Sequence, residues 1–306
     1  MSELHRHLDD YLRLRRALGF KLAFHGHVLP SLIGYLEAAG AATITAELAV
    51  AWAGLPRDVL PITRAHRLGA ARGFARYLKT IDPAAEIPPA GIWPSVTARP
   101  QPWIWAEADI TRLLGAARAL RPPLRAATYE TLLGLLAATG MRLGEAIRLD
   151  RADADLDGGV LTIADGKFGL SRLVPVHPSV TRELREYASR RDRLCPSPAA
   201  TRFFVSTVGT PLRTSGVDHT FAQLTTALGL RTAASRPRIH DLRHSFAVRQ
   251  LLDWYRAGAD PHTLMPVLSA YLGHLSPAGT YWYLTAVPEL MELAAARLDR
   301  HAGGPR

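Results

Sequence analysis

Between Pro88 and Pro102 the chain carries Pro88, Pro89, Pro94, Pro100 and Pro102. Proline lacks the backbone N–H that a helix interior needs and clashes with the preceding turn, so no helix can run through this stretch. It predicts an extended linker between two folding units. We place a helical domain at 1–97, the linker at 98–105 and a second domain at 106–306. With 48% of 306 residues hydrophobic, each part has material for its own core.

Before the linker, apolar residues recur at helical spacing in Leu12–Leu22, Val28–Leu36, Leu48–Trp52 and Leu68–Leu78, with breaks at Gly40, Pro56, Pro61 and Pro83. In the last of these helices Arg72, Arg76 and Lys79 share one narrow arc, while Phe74, Tyr77 and Leu78 point elsewhere. Such a helix can pack on its neighbours and still lay cations against a phosphate backbone. The pairs His5/His7 and His25/His27 have no carboxylate or thiolate at ligand spacing, so they read as surface histidines rather than a metal site.

After the linker, Ala106–Leu120 and Leu124–Thr139 read as amphipathic helices, the second stopping at Gly140. A helix starting near Leu143 places Arg142 beside free backbone N–H groups, a natural anion site. Val160–Ile163 and Arg172–Val176 read as strands of a hairpin with Lys167 near its tip, because Gly166 and Gly169 lie between them. Helices are expected over Pro178–Arg193 and Asp218–Leu228, and a short strand over Arg202–Val205. A helix from about Ile239 to Leu252 would turn Ile239, Leu242 and Phe246 inward and carry His240 and Arg243 on a neighbouring face. An amphipathic helix over Val287–Leu298 completes a mainly α fold with a small β-hairpin or sheet, an α+β class.

The 37 Lys and Arg residues outnumber the 27 Asp and Glu, for a formal charge of +10. A surplus of this kind draws polyanions, nucleic acid first among them. Cys195 is the sole cysteine, which excludes an intramolecular disulfide. The N-terminus lacks the apolar run of a signal peptide, and no apolar stretch reaches the roughly 20 residues of a membrane span, so a cytoplasmic, nucleoid-associated protein is expected.

Taken in order, Arg142 in Thr-Gly-Met-Arg-Leu-Gly-Glu, Lys167 in the hairpin, His240 and Arg243 on a helix, His274 in Leu-Gly-His and then Tyr283 suit transesterification of a phosphodiester. Two arginines can each grip non-bridging oxygens as charge builds on a pentacovalent phosphorus. A tyrosine hydroxyl can attack, storing the ester so that strands rejoin without ATP. The leaving 5′ oxygen needs a proton, which lysine can be tuned to give and arginine cannot; Lys21, Lys79 and Lys167 are the only lysines. His240 and His244 also have the i, i+4 spacing of a zinc helix. Asp241, however, stands where that motif has Glu, and Arg243 would set a cation beside the metal, so neither metal nor cofactor is expected.

This ordered set resembles the tyrosine recombinase, or phage integrase, family, from about Ala106 to the C-terminus. The basic helical N-terminal part resembles the family's core-binding domain more loosely. The resemblance implies a site-specific recombinase that forms a 3′-phosphotyrosine on double-stranded DNA and assembles on it as a homo-tetramer. It assigns Lys167 as general acid, His240 to proton transfer from the tyrosine, and His274 to a hydrogen bond with the phosphate. The spacing from His274 and the Thr-x-x-Tyr pattern match Tyr283, rather than Tyr271 or Tyr281, to the nucleophile. Glu145 fits a structural partner for Arg142. Two other classes share these features: a DNA-binding relative without turnover, and a type IB-like topoisomerase.

Overall fold

A computed structural model describes residues 2–94, 101–164, 171–274, 280, 283 and 290–292, with the side chains of 261 and 262 excepted. Lys167, Tyr281 and most of the expected Val287–Leu298 helix lie outside the described residues. The chain divides into two compact units, Met1–Pro100 and Gln101–Arg306.

The first unit holds α1 (Glu3–Ala17), α2 (Ala23–Ala38), α3 (Ala46–Gly54) and α4 (Pro61–Leu78). Ser2 and Thr45 cap α1 and α3 by accepting from the N–H groups of His5 and Leu48, and Pro61 opens α4, where its missing N–H costs nothing. The expected helix over Leu12–Leu22 is displaced. Leu4, Leu8, Tyr11 and Leu12 form the buried stripe of a helix that starts at Glu3, and Gly19, with φ of 87°, ends the turn before α2 begins. Phe74, Leu78, Trp52 and the Leu29–Leu36 face of α2 complete this core. The first part of the proline-rich stretch lies against this unit rather than running free. Arg72 Nε donates to the Pro88 carbonyl, Lys79 Nζ to the Ala85 carbonyl, and Trp93 packs against the same core.

In the second unit, α5 (Glu107–Arg118) and α6 (Pro123–Thr139) precede the short α7 (Leu143–Ala146). Three antiparallel strands follow, β1 (Ala154–Asp155), β2 (Val160–Ile163) and β3 (Arg172–Pro175), in the order β1-β2-β3. Then come α8 (Pro178–Leu194), α9 (Thr214–Ala227), α10 (Asp241–Arg256) and α11 (Pro261–Leu272). The α6 helix is the axis of the unit: Leu132, Leu133, Leu135 and Leu136 are all buried, and α5, α8 and α10 pack on it. Trp105, 2% exposed, fills this core, and its backbone N–H donates to Ser245 Oγ, so the end of the segment read as linker is anchored here. The hairpin register pairs Ile163 with Arg172 and Val160 with Pro175.

Two expectations shift. Arg202–Val205 forms isolated bridges, Asp150 with Arg202 and Val205 with Pro211, instead of a strand, because each partner is a loop residue rather than a sheet edge. Likewise α9 begins at Thr214, four residues before Asp218. Among the described residues no helix is long and apolar enough to cross a membrane.

Candidate active site

The site grows from three chain reversals in the second unit. At the first, α6 ends on Gly140 in the left-handed region, φ 61°, which a Cβ would block by meeting Phe246 at 2.6 Å. That turn leaves the Gly140 carbonyl without a helical partner and presents Arg142 as the residue capping α7. At the second, α11 ends on Gly273, φ 68°, leaving the carbonyls of Tyr271, Leu272 and Gly273 pointing outward. The third is the start of α10, where His240 precedes the helix and Arg243 lies in its first turn.

Arg243 binds these ends together. Its side chain donates to the Gly140 carbonyl at 2.8 Å, to the Leu272 carbonyl at 2.8 Å and to His274 Nε2 at 2.8 Å. It is 2% exposed, and burial lowers its pKa to about 10, opposed by Tyr283, which hydrogen-bonds the guanidinium. The buried side of α10 is wider than the arc of Ile239, Leu242 and Phe246. Ile239 and Leu242 are buried as read, but Arg243 and His244 are buried too, because α6 and α11 cover the polar side of the helix.

Because a guanidinium only donates, its bond to His274 makes Nε2 an acceptor. The ring proton is therefore on Nδ1, which donates to Thr280 Oγ1 at 2.7 Å. Burial and then the cations of Arg243 and Arg142 push the His274 pKa down to about 4, so the ring is neutral at pH 7. His240 keeps an edge open to solvent; the protein packed around it and the Arg243 cation likewise move its pKa down to about 4. The rings form a cluster about Tyr283, itself 2% exposed. His274 stacks with it at 6.0 Å between centroids, His244 meets it edge-on at 5.4 Å, and His244 meets His240 perpendicularly at 4.8 Å.

Arg142 is braced by Glu145. Its backbone N–H and its Nη1 donate to the two oxygens of that carboxylate, at 3.0 and 2.8 Å, and its Nη2 donates to the Gly273 carbonyl at 2.8 Å. Glu145 also accepts two bonds from Arg172, at 3.0 and 2.8 Å. Burial opposes ionisation, but the hydrogen bonds from Arg172 and Arg142 outweigh it and hold the carboxyl at about 2. One carboxylate is thus bonded by two guanidiniums, leaving surplus positive charge, and a guanidinium has more N–H groups than these contacts use.

Of the residues singled out in the sequence, Arg142, His240, Arg243, His274 and Tyr283 come together here, and Lys167 lies outside the described residues. Arg72, Arg76 and Lys79 are in the other unit: Arg72 is half-buried, Arg76 is exposed on α4, and Lys79 is exposed just past its end, bonded to the Ala85 carbonyl. Sequence reasoning missed Arg172, whose partner is 27 residues away, and the positions of His244 and Thr280. Thr280 was visible only as the first letter of Thr-x-x-Tyr. Among the described residues no three His, Cys, Asp or Glu side chains gather as a metal site.

The fold and site define a mainly helical protein in which carboxylate-braced arginines stand near a buried tyrosine. The chain matches the phage integrase family over residues 105–289. It is 45% identical over 308 residues to a putative integrase/recombinase, y4rB, of Sinorhizobium fredii (strain NBRC 101917 / NGR234), with 98% of each chain covered. A second protein of that strain, the putative integrase/recombinase y4rE, is 37% identical over 297 residues, covering 95% of this chain and 94% of the other. Among solved structures, a Tn1549 transposon integrase in complex with transposon right end DNA superposes with a TM-score of 0.62 at 16% identity, over 97% of this chain and 99% of that one. A lambda integrase dimer bound to a COC′ core site gives 0.60 at 18%, over 90% and 96%; at these identities the likeness is one of fold. The chain belongs to the phage integrase family, and its enzyme class is that of the tyrosine-type site-specific DNA recombinases.

Proposed function

We propose that this recombinase cuts double-stranded DNA by attack of Tyr283 Oη on a backbone phosphorus. The P–O5′ bond breaks, a 3′-phosphotyrosine forms, and the freed 5′-hydroxyl of a second strand later reverses the step. The ester is conserved throughout, so no ATP or cofactor is consumed. Arg142 and Arg243 hold the non-bridging oxygens as charge builds on them. His240, neutral near pH 7, takes part in removing the tyrosine proton, and Lys167 protonates the departing 5′ oxygen.

One observation carries the reading: buried Arg243 bonds both His274 and Tyr283 while fastening the ends of α6 and α11. A phosphate drawn to that guanidinium arrives next to the tyrosine. His274 is an acceptor toward Arg243 in the DNA-free chain. The charge of an incoming phosphate raises its pKa and favours a proton on Nε2, which then donates to the phosphate. Because Tyr283 is buried, engagement of DNA has to open its surroundings.

In the first unit we assign the exposed cations Arg76 and Lys79 of α4, with Arg72, to the DNA backbone. Arg72 also tethers Pro88, so its removal affects folding as well as binding. A lambda integrase of the same fold has been solved as a tetramer bound to a Holliday junction, and we infer an oligomer on DNA here, with a tetramer as the working state.

The test is strand exchange between two duplexes taken from the DNA flanking the gene, run beside relaxation of a supercoiled plasmid lacking that DNA. Exchange confined to the flanking sequence supports the proposal. Relaxation of the plasmid without exchange would make the protein a topoisomerase, and tight binding with neither activity would make it a non-catalytic relative.

A further inference from the structure

Arg172 is the first residue of β3, opposite Ile163 at the last pair before the connection that contains Lys167. Its side chain does not follow the strand's solvent face. Nη1 and Nη2 donate to Glu145 at 3.0 and 2.8 Å, and Nε donates to the Tyr271 carbonyl at 2.9 Å. A second tie runs the other way, from Tyr271 Oη to the Pro175 carbonyl at 3.3 Å. The approach is close: a Cβ on Gly273 would lie 2.8 Å from Arg172 Nη1. The alternate β3 residue Leu173 is 65% exposed, so the apolar hold on this strand is Val174. At the loop end of the hairpin the fastening on β3 is therefore polar, and it ends on the same carboxylate that braces Arg142.

We infer that Arg172 is a positioning residue for proton donation: it fixes the β3 end of the hairpin, five residues after Lys167 in the chain, to Glu145 and to the end of α11. This rests on the assignment of Lys167 as the general acid. Lysine at position 172 keeps a charge but cannot bond Glu145 in a fork and the Tyr271 carbonyl together. Methionine keeps the volume and bonds neither.

The experiment compares two nicked suicide duplexes, one ordinary and one with sulfur in place of the bridging 5′ oxygen at the cut. In the second the P–S bond breaks and sulfur leaves as a thiolate. A thiol is a far stronger acid than an alcohol, so no proton donor is required. Single-turnover adduct formation is measured for wild type, Arg172→Lys, Arg172→Met, Gly273→Ala, Lys167→Ala and Arg142→Ala. The expected result is that both Arg172 variants, like Lys167→Ala, slow by about 100-fold on ordinary DNA and return to within about 5-fold of wild type on the thiolate substrate, while Arg142→Ala stays slow on both.

Arg172 variants that are equally slow on both substrates, beside a rescued Lys167→Ala, would overturn the inference and leave the general-acid reading intact. A Lys167→Ala enzyme that sulfur does not rescue would overturn that reading and this inference with it. Where circular dichroism shows Arg172→Met unfolded, Arg172→Lys carries the test; Gly273→Ala, which also strains the turn whose carbonyl holds Arg142, is expected to stay slow on both substrates.

Discussion

Glu145→Gln probes the brace beneath the site. The carboxylate is 2% exposed and takes four hydrogen bonds, three from Arg142 and Arg172 side chains and one from the Arg142 backbone. A carboxyl held at about 2 instead of its ordinary 4.5 contributes on the order of 3 kcal/mol to folding at neutral pH. Because the folded-state value is depressed, this contribution is complete above about pH 4.5 and disappears as pH falls toward 2. Glutamine keeps one acceptor but cannot neutralise two guanidiniums, and removing one partner of a buried ion pair costs about 3–5 kcal/mol. Urea unfolding at pH 7 should therefore show Glu145→Gln less stable by roughly 3 kcal/mol, and the gap between the two proteins should narrow steadily below pH 4. A loss under about 0.5 kcal/mol, or a gap indifferent to pH, would mean that the cluster is solvated and does not brace Arg142.

Gly140→Ala should cost about 1–3 kcal/mol in thermal unfolding and depress cleavage more than binding, since the strained turn carries the carboxyl-end carbonyl that orients Arg243; unchanged cleavage would contradict that role. For His274, folded-state pKa lies near 4 against an ordinary 6.5. A histidine with a lowered folded pKa contributes stability that is complete above pH 6.5 and is lost as pH falls toward 4. NMR titration of the DNA-free protein should leave the His274 ring neutral at pH 5.5, and titration near 6.5 would refute its bond to Arg243. Arg76→Ala should weaken DNA binding and flatten its salt dependence without shifting the melting temperature, whereas Lys79→Ala, which also removes the bond to the Ala85 carbonyl, should lower both affinity and melting temperature; an unchanged salt slope in Arg76→Ala would take α4 off the DNA.

The sequence made the site legible where chemistry is local. Gly140 as a helix stop, Arg142 at a helix start and the β2–β3 hairpin all rest on neighbours within a few residues, and the structure has each of these elements. What stayed hidden depends on distant partners. Arg172 looked like a strand residue because nothing near it in sequence signals Glu145. Arg243 looked like a residue on a face neighbouring the inner side of its helix and His244 had no place on either, and it is the packing of α6 and α11 that buries both. The start of α1 was masked by the charged residues around Leu4 and Leu8, where a narrow apolar stripe is enough to dock a surface helix. Arg202–Val205 has the composition of a strand, but among the described residues it meets only isolated bridge partners, Asp150 and Pro211, rather than a continuous edge.

The most direct test of the account is covalent trapping on nicked suicide duplexes from the DNA flanking the gene, comparing wild type, Tyr283→Phe and Tyr281→Phe. The account predicts a denaturation-resistant protein–DNA adduct in wild type and in Tyr281→Phe, and none in Tyr283→Phe. An adduct that survives loss of the Tyr283 hydroxyl would contradict it and move the nucleophile elsewhere.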